Sequence, residues 1–463
     1  MNGHLVTYRQ EGGIFKGSTL VLIAFATAFF PRILSAMGAP PAINFVHFAV
    51  VPLVGAIVFF QTRVKDRQQI ATIRALATSL LLFLGAIIAS ALLNSAAAIN
   101  VTLDFLLLTE GFILLLTILC IPISWKEFRS FRNWLLGFIA GHAILAFSQR
   151  IGIALGILVR TKATIEDNVQ GVFYFSYGGH VVAASVSLFF SLYYLATAKD
   201  VKLWIRLAIV FAAFLQILIA DAKQVLLVAL VSWLCLILAR AKNIRVTLQY
   251  AALAVVVVLV LFWCVENIEL FRAYKTWVRP EIYGPDGDAT VQKLSPLRII
   301  PTYYESILNS FLGLGPGHTI GRLGGWMIRD YASILSPLGA TSNSVVTNEF
   351  WRIWDGSYLD SSMFSPFWGW AAIWADLGVV GLVAYIYIWI VVWQRLCPDD
   401  LSKFVVFNVL INGFIFTLLE EPGFMLSVAV LIGLLWQERR LRRQQHYEQL
   451  SALAAMNQHP EMQ

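Results

Sequence analysis

Arginine is the side chain best suited to grip a phosphate group, because its planar guanidinium donates to two oxygens at once. In this chain Arg150, Arg160, Arg298, Arg322 and Arg352, joined by Lys162 and Lys223, stand at the ends of apolar segments or in one long polar stretch. Such cations suggest an anionic ligand, and a lipid-linked pyrophosphate would fit. His318 directly follows GLGPG, a run whose Gly315 and Gly317 allow a tight turn and close backbone approach to a ligand. The histidine is a candidate general base on that turn or a solvated loop histidine. Ionisable residues inside apolar segments are expensive and therefore informative. Arg150 could serve the ligand or pair with Glu110 or Asp104, while Glu110 and His142 read as a buried hydrogen-bonded pair rather than as catalysts. Glu420 and Glu421 read as setting a hairpin with Pro422 and Gly423.

The elements that must hold these groups are membrane-spanning helices. Hydrophobic residues make up 59% of the 463 residues and charged residues 13%, and mean hydropathy is +0.73, values that exclude an ordinary water-soluble domain. Spans need about 20 apolar residues each, and about twelve candidates are centred near residues 26, 51, 86, 112, 145, 189, 211, 232, 257, 382, 412 and 430. Positive residues are retained on the cytoplasmic side. With the N-terminus inside, every predicted inner segment is basic, from Arg63, Lys65, Arg67 and Arg74 to Arg439, Arg440, Arg442 and Arg443, whereas the outer connection NSAAAI is uncharged and LEEPG is acidic. The net charge of +7 is thus a topology signal, and no nucleic-acid partner is expected.

The resulting organisation is an all-α integral membrane protein with both termini cytoplasmic. Residues 1–266 hold nine spans, 267–365 form a large extracytoplasmic loop with short interfacial helices, 366–437 hold three more spans, and 438–463 form a charged cytoplasmic tail suited to anionic lipid. No removable signal peptide is expected at the N-terminus. Cys120, Cys235, Cys264 and Cys397 stand apart, without metal or redox spacing. Within the loop, ILNSFLGL is amphipathic at helical spacing and is expected to lie at the interface.

Four stretches resemble, in order, the O-antigen ligase and polymerase superfamily of bacteria. RIIPTYYESILNSFLGLGPG, from Arg298 to Gly317, is similar to that family's arginine followed by an amphipathic helix and a GxGpG turn. GVFYFSYGGHVVA (171–183) resembles its glycine-containing turn into a span. ADAKQVLLVAL (220–230) resembles a segment that commonly carries Ser-Arg, with Lys223 here in place of arginine. ADLGVVGLV (375–383) resembles the acid and GxxG that open the span after the loop. One departure concerns the histidine that ligases carry about nine residues before that acid: SSMFSPFWGWAAIWAD has none.

The resemblance implies a GT-C-like bundle in the bacterial cytoplasmic membrane that polymerises oligosaccharide repeat units carried on undecaprenyl pyrophosphate. Arg298 and Lys223 would bind the pyrophosphate, and His318, Glu349 or Asp360 would deprotonate the acceptor hydroxyl. Neither cofactor nor metal is implied; a flippase and a chain-length regulator are the implied partners. Two alternatives stand beside this reading: a ligase that moves a finished glycan onto lipid A core or protein, and a flippase for lipid-linked sugars.

Overall fold

The computed structural model describes residues 16–61, 66–159, 164–174, 178–240, 244–268, 271, 279–355 and 364–458. The described chain is 82% helical, without strands. Each of the twelve predicted apolar centres falls in a helix: α1 (Gly17–Phe29), α2 (Val46–Gln61), α3 (Arg67–Leu93), α4 (Ala98–Cys120), α5 (Trp125–Ala154), α6 (Gly179–Thr197), α7 (Leu203–Ile219), α8 (Lys223–Ala239), α9 (Ile244–Asn267), α10 (Gly369–Leu396), α11 (Asp400–Asn412) and α12 (Pro422–Gln458). Among the described residues, seven helices are long and apolar enough to cross a bilayer: α2 with its preceding turn, α3, α4, α5, α6, α9 and α10. The protein is therefore an all-α, multi-pass membrane protein.

Burial separates the core of the bundle from its lipid-facing rim. In α4, 78% of the apolar window is buried, against 0% in α9. The central helix α4 packs against α2, α3 and α12, whereas α9 lies on α8 and exposes Leu253, Leu259, Phe262 and Trp263. An apolar helix exposed in this way is stable in hydrocarbon, where every backbone bond is satisfied within the helix. Several starts are capped by side chains: Asp66 accepts from the Gln68 N–H, Asp399 accepts from the Ser402 N–H, and Ser124 with Glu127 forms a capping box on α5.

The opposite end of the bundle carries the loop segments. There the C-terminus of α3, the N-termini of α4, α10 and α12, and the hairpin before α12 meet residues 279–355. ILNSFLGL contains the helix Ile307–Leu312, which turns Asn309 inward and leaves Ile307, Leu308 and Phe311 exposed. That apolar outer face fits the expected interfacial position. The helix α12 runs through residue 437 without a break, so the charged tail begins as a continuation of that helix.

Candidate functional site

The GLGPG run is clamped onto the start of α10. The Leu314 N–H donates to the Ala375 carbonyl at 2.9 Å and the Gly315 N–H to the Asp376 carbonyl at 3.0 Å. The Asp376 carboxylate accepts from the Gly317 N–H at 3.1 Å and from the Thr319 hydroxyl at 2.5 Å. Ser90 of α3 and Asn94, which caps its end, donate to the Asp376 and Gly313 carbonyls, and Asn100 of α4 donates to the Pro316 carbonyl at 2.9 Å. Gly378 breaks α10 with φ 64° and ψ −164°. A Cβ on Gly378 would collide with the Phe311 carbonyl, and one on Gly313, itself at φ 72°, with the Asp376 carbonyl. Glycine is required where two backbones touch in this way.

His318 belongs to the same clamp. Its Nδ1 lies 3.1 Å from the Leu314 carbonyl and its Nε2 2.9 Å from the Thr341 hydroxyl, which itself accepts the Ala97 N–H at 3.1 Å. These bonds are all satisfied by a neutral ring that donates from Nδ1 and accepts at Nε2. Burial pushes its pKa below the ordinary histidine value. Both ring nitrogens are thus occupied by the protein, in contrast to a solvated loop histidine or a base facing substrate. Gly315 and Gly317, with φ 106° and 71°, are buried and face α3, α4 and α10 rather than open space.

The open space lies a few residues further on. Two adjoining cavities, of about 180 Å³ and about 500 Å³, share Arg322, Trp326, Asp330 and Glu421 as lining and form the two arms of a cleft. The smaller arm is aromatic. Trp351 sits 5.2 Å from both Trp354 and Phe367 between ring centroids, and the Arg329 guanidinium lies 4.2 Å from the centre of the Trp351 ring. The larger arm descends between the polar loop and the bundle, past Arg32 and Asn44, to His47 and Leu107. Arg32 has neither hydrogen bond nor ion pair among the described residues.

Arg322 stands where the arms join, held from behind. Glu420 accepts its backbone N–H, Glu421 accepts its guanidinium, and Trp326 lies under it at 5.9 Å. The two glutamates of the hairpin therefore fix an arginine, a role beyond the turn with Pro422 and Gly423 that their spacing suggested. At the base of the large arm, Glu110 pairs with His47 at 2.8 Å, not with His142. His142 instead lies between the Ala183 carbonyl and the Val172 N–H, each at 3.2 Å, and fastens the turn at Gly171. Arg150 pairs with Glu166 at 3.3 Å rather than with Glu110 or Asp104.

Of the residues that the sequence assigned to catalysis or substrate binding, only Arg322 lines this cleft. Arg298 is exposed and donates to the Val291 carbonyl of its own helix at 3.1 Å. Lys223 is paired with Asp221 at 2.9 Å. Glu349 accepts the Tyr303 hydroxyl, and Arg352 is exposed on the same short helix, Ser344–Trp354. Arg160, Lys162 and Asp360 lie outside the described residues. Among the described residues, no group of three or more His, Cys, Asp and Glu side chains is placed to hold a metal. Arg329 stood among the cations of the long polar stretch without an assigned role; Arg32, Asp330 and His47 were not nominated, because none carries a motif and Arg32 and His47 lie far in sequence from Arg322. The one available signal was aromatic: Trp326, Trp351 and Trp354 concentrate in the polar stretch that also carries Arg322 and Arg329. No family model matches the chain, and no curated protein matches it.

Proposed function

We propose that this protein is a bacterial cytoplasmic-membrane glycosyltransferase that polymerises oligosaccharide repeat units carried on undecaprenyl pyrophosphate. The observation that carries the reading is the cleft in which Arg32, Arg322 and Arg329 accompany Trp326, Trp351 and Trp354. Polyprenyl pyrophosphate presents two anionic groups next to a sugar and an apolar chain, and this cleft offers a counterpart to each. Arginine forks match phosphate oxygens, and indole faces offer flat surface to the apolar faces of sugar rings. The bundle wall accepts the lipid.

In this reading the diphosphate lies between Arg32 and Arg322, and sugar units occupy the aromatic arm. The acceptor hydroxyl attacks the anomeric carbon, the bond from that carbon to the phosphate oxygen breaks, and its electron pair leaves with the lipid pyrophosphate. Fixed guanidinium groups stabilise the charge that develops on the leaving group, and preorganised charge of this kind is commonly the largest catalytic contribution. The basic residues at the other end of the bundle support an extracytoplasmic cleft, where lipid-linked repeats are joined. Twelve spans with both termini inside is the topology proposed with it. Arg298 and Lys223 lie outside this donor site.

The test has two parts. Deletion of the gene is expected to leave single repeats on the lipid carrier or the cell surface in place of long glycan. The purified full chain in nanodiscs is expected to bind undecaprenyl pyrophosphate, with affinity at least tenfold weaker in Arg322→Lys, which keeps the charge but not the fork. Long glycan after deletion, or equal binding by both proteins, would exclude the proposal.

A further inference from the structure

Resting on that reading, we infer that His47, oriented by Glu110, is the general base that takes the proton from the acceptor hydroxyl. The proposed reaction needs such a group, and the clamp occupies both nitrogens of His318. His47 follows the turn Pro41–Phe45 at the start of α2 and lines the large arm of the cleft, which Arg322 also lines. Its Nδ1 lies 2.8 and 3.0 Å from the two oxygens of Glu110, a residue that is 1% exposed. Its Nε2 has no hydrogen-bond partner among the described residues. Nor is that atom sealed away, unlike Asp104 Oδ2 and Glu420 Oε1, which are enclosed and unpartnered.

The chemistry follows from the orientation. A carboxylate on Nδ1 holds the proton there and leaves the Nε2 lone pair free to accept one. As the acceptor oxygen bonds to the anomeric carbon, its proton passes to Nε2, and the electron pair of the breaking carbon–oxygen bond leaves on the pyrophosphate. The imidazolium so formed faces the Glu110 carboxylate, which stabilises it, and the proton is then released to water or to the departing pyrophosphate. The arrangement repeats the division of labour of a base held by a third group, reached here between two helices. Glu110 is a positioning residue in this scheme.

The experiment uses the full chain in nanodiscs, with single-repeat lipid-linked donor extracted from a strain lacking the gene. His47→Ala is expected to lower the polymerisation rate by about 100-fold or more, the usual range for a lost general base. Undecaprenyl pyrophosphate should still bind within about twofold of wild type. Added imidazole, entering the space vacated by the ring, is expected to restore at least about tenfold of the loss. His47→Asn, whose amide can still donate to Glu110, should fold like wild type and remain slow. Normal polymerisation by either variant, or a loss that imidazole does not relieve while His47→Asn is active, overturns the assignment. Failure of the wild-type protein to bind undecaprenyl pyrophosphate would instead remove the donor-site reading beneath it.

Discussion

Two halves of one short segment behave in opposite ways. From Gly313 to Thr319 polar groups meet partners from α3, α4 and α10 or from the loop itself, and three glycines let the backbones touch. From Arg322 to Asp330 the same chain lines open space, with Arg322, Trp326, Arg329 and Asp330 turned to the cleft. The motif that stands out in the sequence is the part that anchors, and the part without a motif is the part that can meet a ligand. Saturated polar groups in a low-dielectric bundle make a rigid support; arginines held by carboxylates beside aromatic walls, as Arg322 is by Glu421 and Arg329 by Asp330, make a binding surface.

The largest expected effect separates the two roles at Arg322. Arg322→Ala should abolish long glycan and also destabilise the protein, because Glu421 would be left buried without its partner, a change worth about 3–5 kcal/mol where it has been measured in other proteins. Adding Glu421→Gln should restore thermal stability in detergent but not glycan synthesis. Recovery of both would reduce Arg322 to a structural ion pair.

Next comes the anchor. Gly378→Ala places a methyl group against the Phe311 carbonyl at a positive φ and is expected to cost more than about 3 kcal/mol, a value reserved for defects of this type. Faster hydrogen exchange across Leu314–Thr319 should accompany it. Unchanged exchange would show that the clamp does not depend on that close approach.

A smaller effect is expected at Lys293, whose amine is enclosed and donates to the Ser365 and Ile415 carbonyls. Burial pushes its pKa down to about 7 from an ordinary 10.5. Between those values the unfolded chain binds a proton that the folded chain does not, so stability should rise with pH from about 7 towards 10. The residue itself is only partly buried, so water near the stem will moderate the slope. The rise should be absent in Lys293→Met when thermal unfolding is followed across that range.

The smallest expected effect is at Arg298. Since the guanidinium is exposed and bonds within its own helix, Arg298→Ala should leave glycan length within about twofold of wild type and stability within about 0.5 kcal/mol. A large loss would move the donor site away from the cleft.

Hydropathy, basic residues and the glycines of GLGPG were legible in the sequence because each reports a local requirement. An apolar run must find lipid or core, and a backbone turn needs glycine wherever the polypeptide crowds itself. The twelve helices and the short helix at Ile307–Leu312 with its apolar outer face follow from such local demands. Which polar group meets which was decided only by tertiary structure. Glu110 could reach His142 as readily as His47 on sequence spacing, and Glu421 gave no sign of Arg322, because partners 63 and 99 residues apart are chosen by helix packing. Desolvation makes that choice strict: in an apolar bundle a charge must find its counterpart, so packing settles which groups are consumed as supports and which remain free to act.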